Sequence, residues 1–159
     1  MSRATSPSAD RHTAAQRRRS SRRALCVVLA ILATATVMTG CDPEHKPLEN
    51  WYYVNKERTS RGLKPLGYDG QLAAKARGWA EVLASRGALA HSTLTDGVSP
   101  GWRTLGENVG YGGSVLAVHG GFLNSRDHRE VMLGRAYQTM GVGVVERGGT
   151  TWVVEVYKG

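Results

Sequence analysis

Near its end the chain reads Met140-Gly-Val-Gly-Val-Val145, then Glu146-Arg147-Gly148-Gly149-Thr150, then Thr151-Trp-Val-Val-Glu-Val-Tyr157. Two β-branched runs around Arg147-Gly148-Gly149 predict a β-hairpin. Successive strand side chains alternate between faces. Trp152, Val154 and Val156 therefore share one face, and Thr151, Val153, Glu155 and Tyr157 the other. A hairpin alone is not stable in water, so one of these faces must be covered by helices. The fold class follows: α+β, a small antiparallel sheet layered with helices.

The helices are written upstream. Leu48, Trp51 and Val54 recur at helical spacing over residues 48–61. Gly62 stands where a left-handed stop belongs, and Pro65 follows it. A second helix starts at Asp69, a good N-cap, carries the stripe Leu72, Ala76, Trp79, Ala80 and Leu83, and ends before Gly87. Residues 91–105 show no period and hold Asp96-Gly97 and Pro100-Gly101, so they read as a loop. Gly106 to Gly113 reads as a glycine-rich turn, and without a P-loop lysine it is not a phosphate cradle. Ser114 caps a third helix running to about Ser125, and residues 127–133 form a further short turn.

Charge divides the 159-residue chain in two. The formal charge is +8, but residues 1–40 hold seven Arg and one acid, whereas residues 41–159 hold 14 basic and 12 acidic side chains. A nucleic-acid partner would need basic residues clustered on the folded part, so no nucleic acid is expected. The Arg-rich start followed by the uncharged run Ala24–Gly40 reads as a secretory signal, for which an uncleaved signal anchor is the alternative. It ends in Met38-Thr39-Gly40-Cys41, which resembles a bacterial lipobox, so cleavage before Cys41 and acylation of its thiol are expected. Ser21-Arg22-Arg23-Ala24-Leu25 also resembles the start of a twin-arginine signal. The organisation is then a signal peptide over 1–40, a short linker over 41–47 and a domain over 48–159. The protein is expected outside the cytoplasm, with the membrane as partner through acylated Cys41, or else secreted. Cys26 and Cys41 are the two cysteines, so the domain has neither a disulfide nor a thiolate metal site and must rest on a core.

Several short motifs remain. They are Asn55-x-x-Arg58 with Gly62-Leu63-x-Pro65-Leu66, Asp69-x-x-Leu72, His91-Ser92, Gly106-Glu107-Asn108, Ser125-x-x-His128-Arg129 and Gly141-Val142-Gly143-Val144. None is specific alone. In this order, over residues 48–157, they resemble the CAP superfamily, also called the SCP domain, which spans cysteine-rich secretory proteins, antigen 5 and pathogenesis-related proteins. The resemblance is to its bacterial secreted branch. It implies an α-β-α sandwich with a cleft where two His and two Glu meet, a tetrad that binds zinc or another divalent ion in many members. Of the four, His91 and Glu107 match. The second Glu falls near Ser125 or Arg126 and the second His near Ala136, so both are missing. His128 belongs to the branch's own Ser-x-x-His-Arg pattern and is a third cleft candidate.

Zinc needs at least three protein ligands. His91 and Glu107 are thus the candidate metal ligands, and a His91–Glu107 hydrogen bond that locks the cleft loops is the competing reading. No catalytic residue is assigned. The incomplete tetrad favours a binding or interaction module, its central cleft taking a lipid, glycan or cell-wall ligand; the alternative is a metal-assisted hydrolase working through the His/Glu cleft. Asn55, Arg58 and Asn108 are expected to be partly buried framework residues.

Overall fold

A computed structural model describes residues 45–159. The expected signal, the lipobox and Cys41 lie outside the described residues. The elements are α1 (His45–Ser60), β1 (Gly67–Tyr68), α2 (Gly70–Arg86), β2 (Leu105–Gly112), α3 (Val115–Asn124), α4 (Arg126–Met132), β3 (Thr139–Arg147) and β4 (Thr150–Lys158). One four-stranded sheet has the order β1-β3-β4-β2. β4 pairs antiparallel with β3 and with β2, while β1 pairs parallel with β3 through Gly67↔Thr139 and Tyr68↔Met140. The sheet is therefore mixed rather than purely antiparallel, because two residues after α1 join the edge of β3 in the same direction.

Helices cover both faces, so the expectation of one covered face is exceeded and the α-β-α arrangement holds. On one side Met140, Val142, Val153 and Tyr157 pack against Val54 of α1, Val118 and Phe122 of α3, and Met132 of α4. On the other, Trp152, Val154, Val156 and Val109 pack against Leu72, Ala76, Ala80 and Leu83 of α2. α2 can lie so close because β3 offers it glycine. A Cβ on Gly141 would stand 2.0 Å from the Ala73 nitrogen, and one on Gly143 would stand 2.2 Å from the Ala76 carbonyl carbon.

The helix ends obey the local signals. At Gly62 (φ +70°) the Leu63 N–H donates to the Arg58 carbonyl (3.0 Å) and the Gly62 N–H to that of Thr59 (3.0 Å). That pair of bonds is the Schellman arrangement. Asp69 caps α2, its Oδ1 accepting from the Gln71 N–H (2.9 Å) and the Leu72 N–H (3.1 Å), and Gly87 closes it at φ +65°. α1 begins at His45, so residues 45–47 of the expected linker are its first turn. Pro47 is tolerated there because its missing N–H would be unpaired anyway. Leu48, read as part of the apolar stripe, is exposed.

One element departs from the sequence reading. Residues 105–112 are not a turn but β2, paired with β4 along its whole length from Leu105↔Lys158 to Gly112↔Thr151. Its glycines make room for neighbours rather than bends. A Cβ on Gly106 would meet the Tyr137 hydroxyl at 2.4 Å, and one on Gly110 would meet the Phe122 ring at 2.7 Å.

Candidate functional site

β2 is an edge strand, and its alternation sends Glu107 and Asn108 to opposite faces of the sheet. On the α2 face, Glu107 meets the loop that follows α2. Its Oε1 accepts from the Ser92 N–H (2.8 Å) and from His91 Nδ1 (2.8 Å), and its Oε2 from the Ser92 hydroxyl (2.5 Å). The Glu107 side chain is 1% exposed and that of His91 62% exposed, so a buried carboxylate holds a ring that faces solvent. A carboxylate only accepts, so the imidazole carries its proton on Nδ1 and presents Nε2 outward. His91 and Glu107 thus meet as their motifs imply.

His128, on α4, takes another role. Its ring lies 5.0 Å from that of Phe122 at 34°, and its Nδ1 is buried without a partner. Burial holds its imidazole below the ordinary histidine value, reinforced by a charge on the neighbouring His91 and opposed by Asp127. It lines a groove of about 230 Å³ along β2, with Leu89, Val109, Tyr111, Ala117 and Phe122 among the walls. It bonds neither to His91 nor to Glu107.

These residues do not fit zinc. Both Glu107 oxygens are taken by Ser92 and His91, which leaves His91 Nε2 as the one outward donor. Ala136, where the resemblance would put the second His, lines a separate groove beside Arg58. Among the described residues no group of three His, Cys, Asp or Glu is placed to hold a metal, whereas a zinc site requires at least three protein ligands.

The opposite face of β2 carries a polar network that the sequence motifs only half announce. Asn108 Nδ2 donates to the His128 carbonyl (3.1 Å) and to Glu155 Oε2 (3.0 Å). Glu155 also accepts from the Tyr157 hydroxyl (2.6 Å) and from Asn50 Nδ2 (2.6 Å). Glu155, Asn50, Asn108 and Tyr157 are all 0% exposed. Burial drives the Glu155 carboxyl above its ordinary value despite these donors, and it drives Tyr157 well above its own, helped by the adjacent Glu155. The network ties α1, α4, β2 and β4 together beneath the site. Asn55 and Arg58 also behave as expected. Asn55 brackets Leu66, donating to its carbonyl (3.0 Å) and accepting from its N–H (2.7 Å). Buried Arg58 donates to three backbone carbonyls. The burial of Glu155 and the part played by Asn50 are not marked in the sequence: an acid in a strand normally signals a solvated face, and nothing local marks Asn50.

Comparison with known proteins fits this geometry. Residues 51–157 match the family described as CAP, the cysteine-rich secretory protein family. The chain belongs to that family. It is 33% identical over 105 residues to YkwD of Bacillus subtilis (strain 168), covering 60% of this chain and 40% of that protein. An extracellular protein containing an SCP domain from Bacillus anthracis str. Ames superimposes with a TM-score of 0.64 at 23% identity, over 71% of this chain and 40% of that one. The chain thus spans well under half the length of these two bacterial relatives. NaASP2, solved with Zn2+, superimposes with a TM-score of 0.57 at 13% identity, over 72% and 82% of the two chains. That neighbour holds zinc; the fold is shared, while the donor set here is two residues, His91 and Glu107. The family has extracellular members, and among the described residues no helix is long and apolar enough to cross a membrane.

Proposed function

We propose that the protein is an extracytoplasmic, lipid-anchored binding module whose groove along β2 receives the apolar part of a lipid. The observation that carries this reading is the groove itself. Its walls are mainly aliphatic and aromatic, with Leu89, Val109, Ala117 and Phe122, and Ser125 and His128 are polar groups among them. Apolar walls with a few polar groups suit an amphipathic ligand better than a glycan or a cell-wall fragment, which would need more hydrogen-bonding partners. A metal-assisted hydrolase lacks support from the donor set, and neither Ser92 nor Ser125 stands on a strand-to-helix elbow. The uncharged run ending in Thr39-Gly40-Cys41 supports the anchor.

The experiment uses Cys41→Ala protein, which carries no covalent acyl group, purified from outside the cell and extracted with organic solvent. A lipid recovered in near-stoichiometric amount, and lost when Ala117→Trp fills the groove, is the expected result. No extractable lipid, or equal amounts from the proteins with and without the Ala117→Trp substitution, would refute the assignment.

A further inference from the structure

A second groove, separate from the one along β2, has a composition of its own. It encloses about 720 Å³ between the turn after α1 and the segment before β3, and Arg58, Lys64 and Arg135 line it with no Asp or Glu among its walls. Arg58 is its fixed point. The residue is 1% exposed, and Nε donates to the Lys64 carbonyl (3.0 Å) while Nη1 donates to those of Met132 (2.8 Å) and Gly134 (3.0 Å). Those three bonds use Nε–H and both hydrogens of Nη1 and clamp the guanidinium plane. Nη2 is left with no acceptor among the described residues. No carboxylate pairs with Arg58, and Lys64 and Arg135 likewise take part in no ion pair among the described residues. Elsewhere on the surface Arg61, Arg77 and Arg126 each have a glutamate one turn away.

We propose that this groove is a phosphate-binding site, with Arg58 Nη2 as the rigid donor and Lys64 and Arg135 closing over the anion. The two N–H groups of Nη2 are the donors left for phosphate oxygen, and a guanidinium already held by carbonyls loses little entropy on binding. Its charge sits in a low-dielectric wall, where an uncompensated cation acts more strongly on an incoming anion than a solvated one. Two exposed cations beside it add charge without competing for the same protein acceptors. The phosphate could belong to a free or polymeric ligand or to a lipid headgroup. Arg58 lies thirteen residues after His45 on α1 (58 minus 45), about 20 Å along the helix axis, and so stands at the far end of α1 from the point where the chain enters the domain. This site is independent of the groove along β2 and of the function proposed for it.

The test follows the amide and arginine side-chain resonances of the full chain in zwitterionic micelles. One arm adds inorganic phosphate; the other dopes the micelles with phosphatidylglycerol. Saturable shifts of Arg58, Gly62 to Lys64 and Arg135 are expected in at least one arm, and the arm that responds assigns the source. Lys64→Gln with Arg135→Gln should weaken the response about fivefold, the effect of removing two exposed charges from one ligand. Arg86→Gln with Arg147→Gln, at the end of α2 and in the β3–β4 hairpin, removes the same net charge elsewhere and should change it less than twofold. Failure of both arms to move these resonances, or equal weakening by the two double variants, would overturn the proposal.

Discussion

Asn108 is the residue through which the face of the sheet opposite Glu107 can be tested most sharply. Replacing it with Ala removes two bonds from a site with no solvent: one to the neutral His128 carbonyl and one to the Glu155 carboxylate. The first is worth about 1 kcal/mol and the second about 1.5–3. Part of that loss is returned, because Asn108 Oδ1 is itself buried without a partner and leaves with the side chain. The net cost works out at about 2–3 kcal/mol, or a fall in Tm of about 8–12 °C for a domain of this length. Asn108→Asp is a harsher perturbation of nearly the same shape. It sets a second carboxylate within hydrogen-bond reach of Glu155, in place of a donor, and like charges in a dry site cannot both persist. The expected cost exceeds that of Ala, and it shrinks as pH falls, since one shared proton relieves the pair. Adding Glu155→Gln to Asn108→Asp restores a donor opposite the new acid, and the double variant should recover at least about 1 kcal/mol of what Asp removed. Thermal and urea melts followed by circular dichroism measure all four proteins. An Asn108→Ala protein melting at the wild-type temperature, or a double variant no more stable than Asn108→Asp, would refute the network as a source of stability.

Other perturbations address separate features. Gly143→Ala puts a Cβ 2.2 Å from the Ala76 carbonyl carbon, so α2 must shift, and a cost of at least about 3 kcal/mol is expected. Gly120→Ala in α3 meets nothing within 4 Å and should stabilise by about 0.5–1 kcal/mol on the same melts. Burial, opposed by Glu57, holds buried His119 below its ordinary value, and its ring lies 5.4 Å from that of Tyr53, tilted by 39°. A lowered folded pKa gives stability that is present above the unfolded value near 6.5 and lost as pH falls. Tm should therefore drop on acidification from pH 7.5 to 5, and His119→Phe should flatten that slope in part, His128 adding the same sign. Zinc titrated calorimetrically into the protein should give no site tighter than that of a His91→Ala variant by more than about tenfold, since two donors do not complete a tetrahedral set. Labelled palmitate should enter the wild-type protein and not Cys41→Ala; absence of label in the wild type would remove the anchor.

The parts legible in the sequence are those whose cause is local. Asp69, Gly62 and Gly87 act on the backbone within a turn of themselves, so α1 and α2 end where their residues say. The hairpin's alternation likewise divides Trp152, Val154 and Val156 from Val153, Glu155 and Tyr157, as found. β2 was hidden because its glycines look like turn residues, whereas their reason lies in Tyr137, Phe122 and Val118, which arrive later in the chain. β1 is too short to show a period at all. At the site, His91 and Glu107 were paired only through the order of motifs, because they stand sixteen positions apart across loop and strand. His128 was legible as a residue of interest but not in its orientation, which Phe122 and the start of α4 decide. Glu155 was read correctly as to face. That its face would be dry could not be read, because the helices that dry it belong to three different stretches of the chain.

β4 is the strand on which the sheet depends: β2 and β3 pair with it and not with each other, and it is buried along nearly its whole length. It is also the latest of the described strands in chain order. Until Thr150–Lys158 pair, both halves of the sheet lack their common neighbour, and α2 has no completed surface to settle on. Closing the sheet is thus a long-range event: β2 waits for a partner that starts 38 positions beyond its own end (150 minus 112).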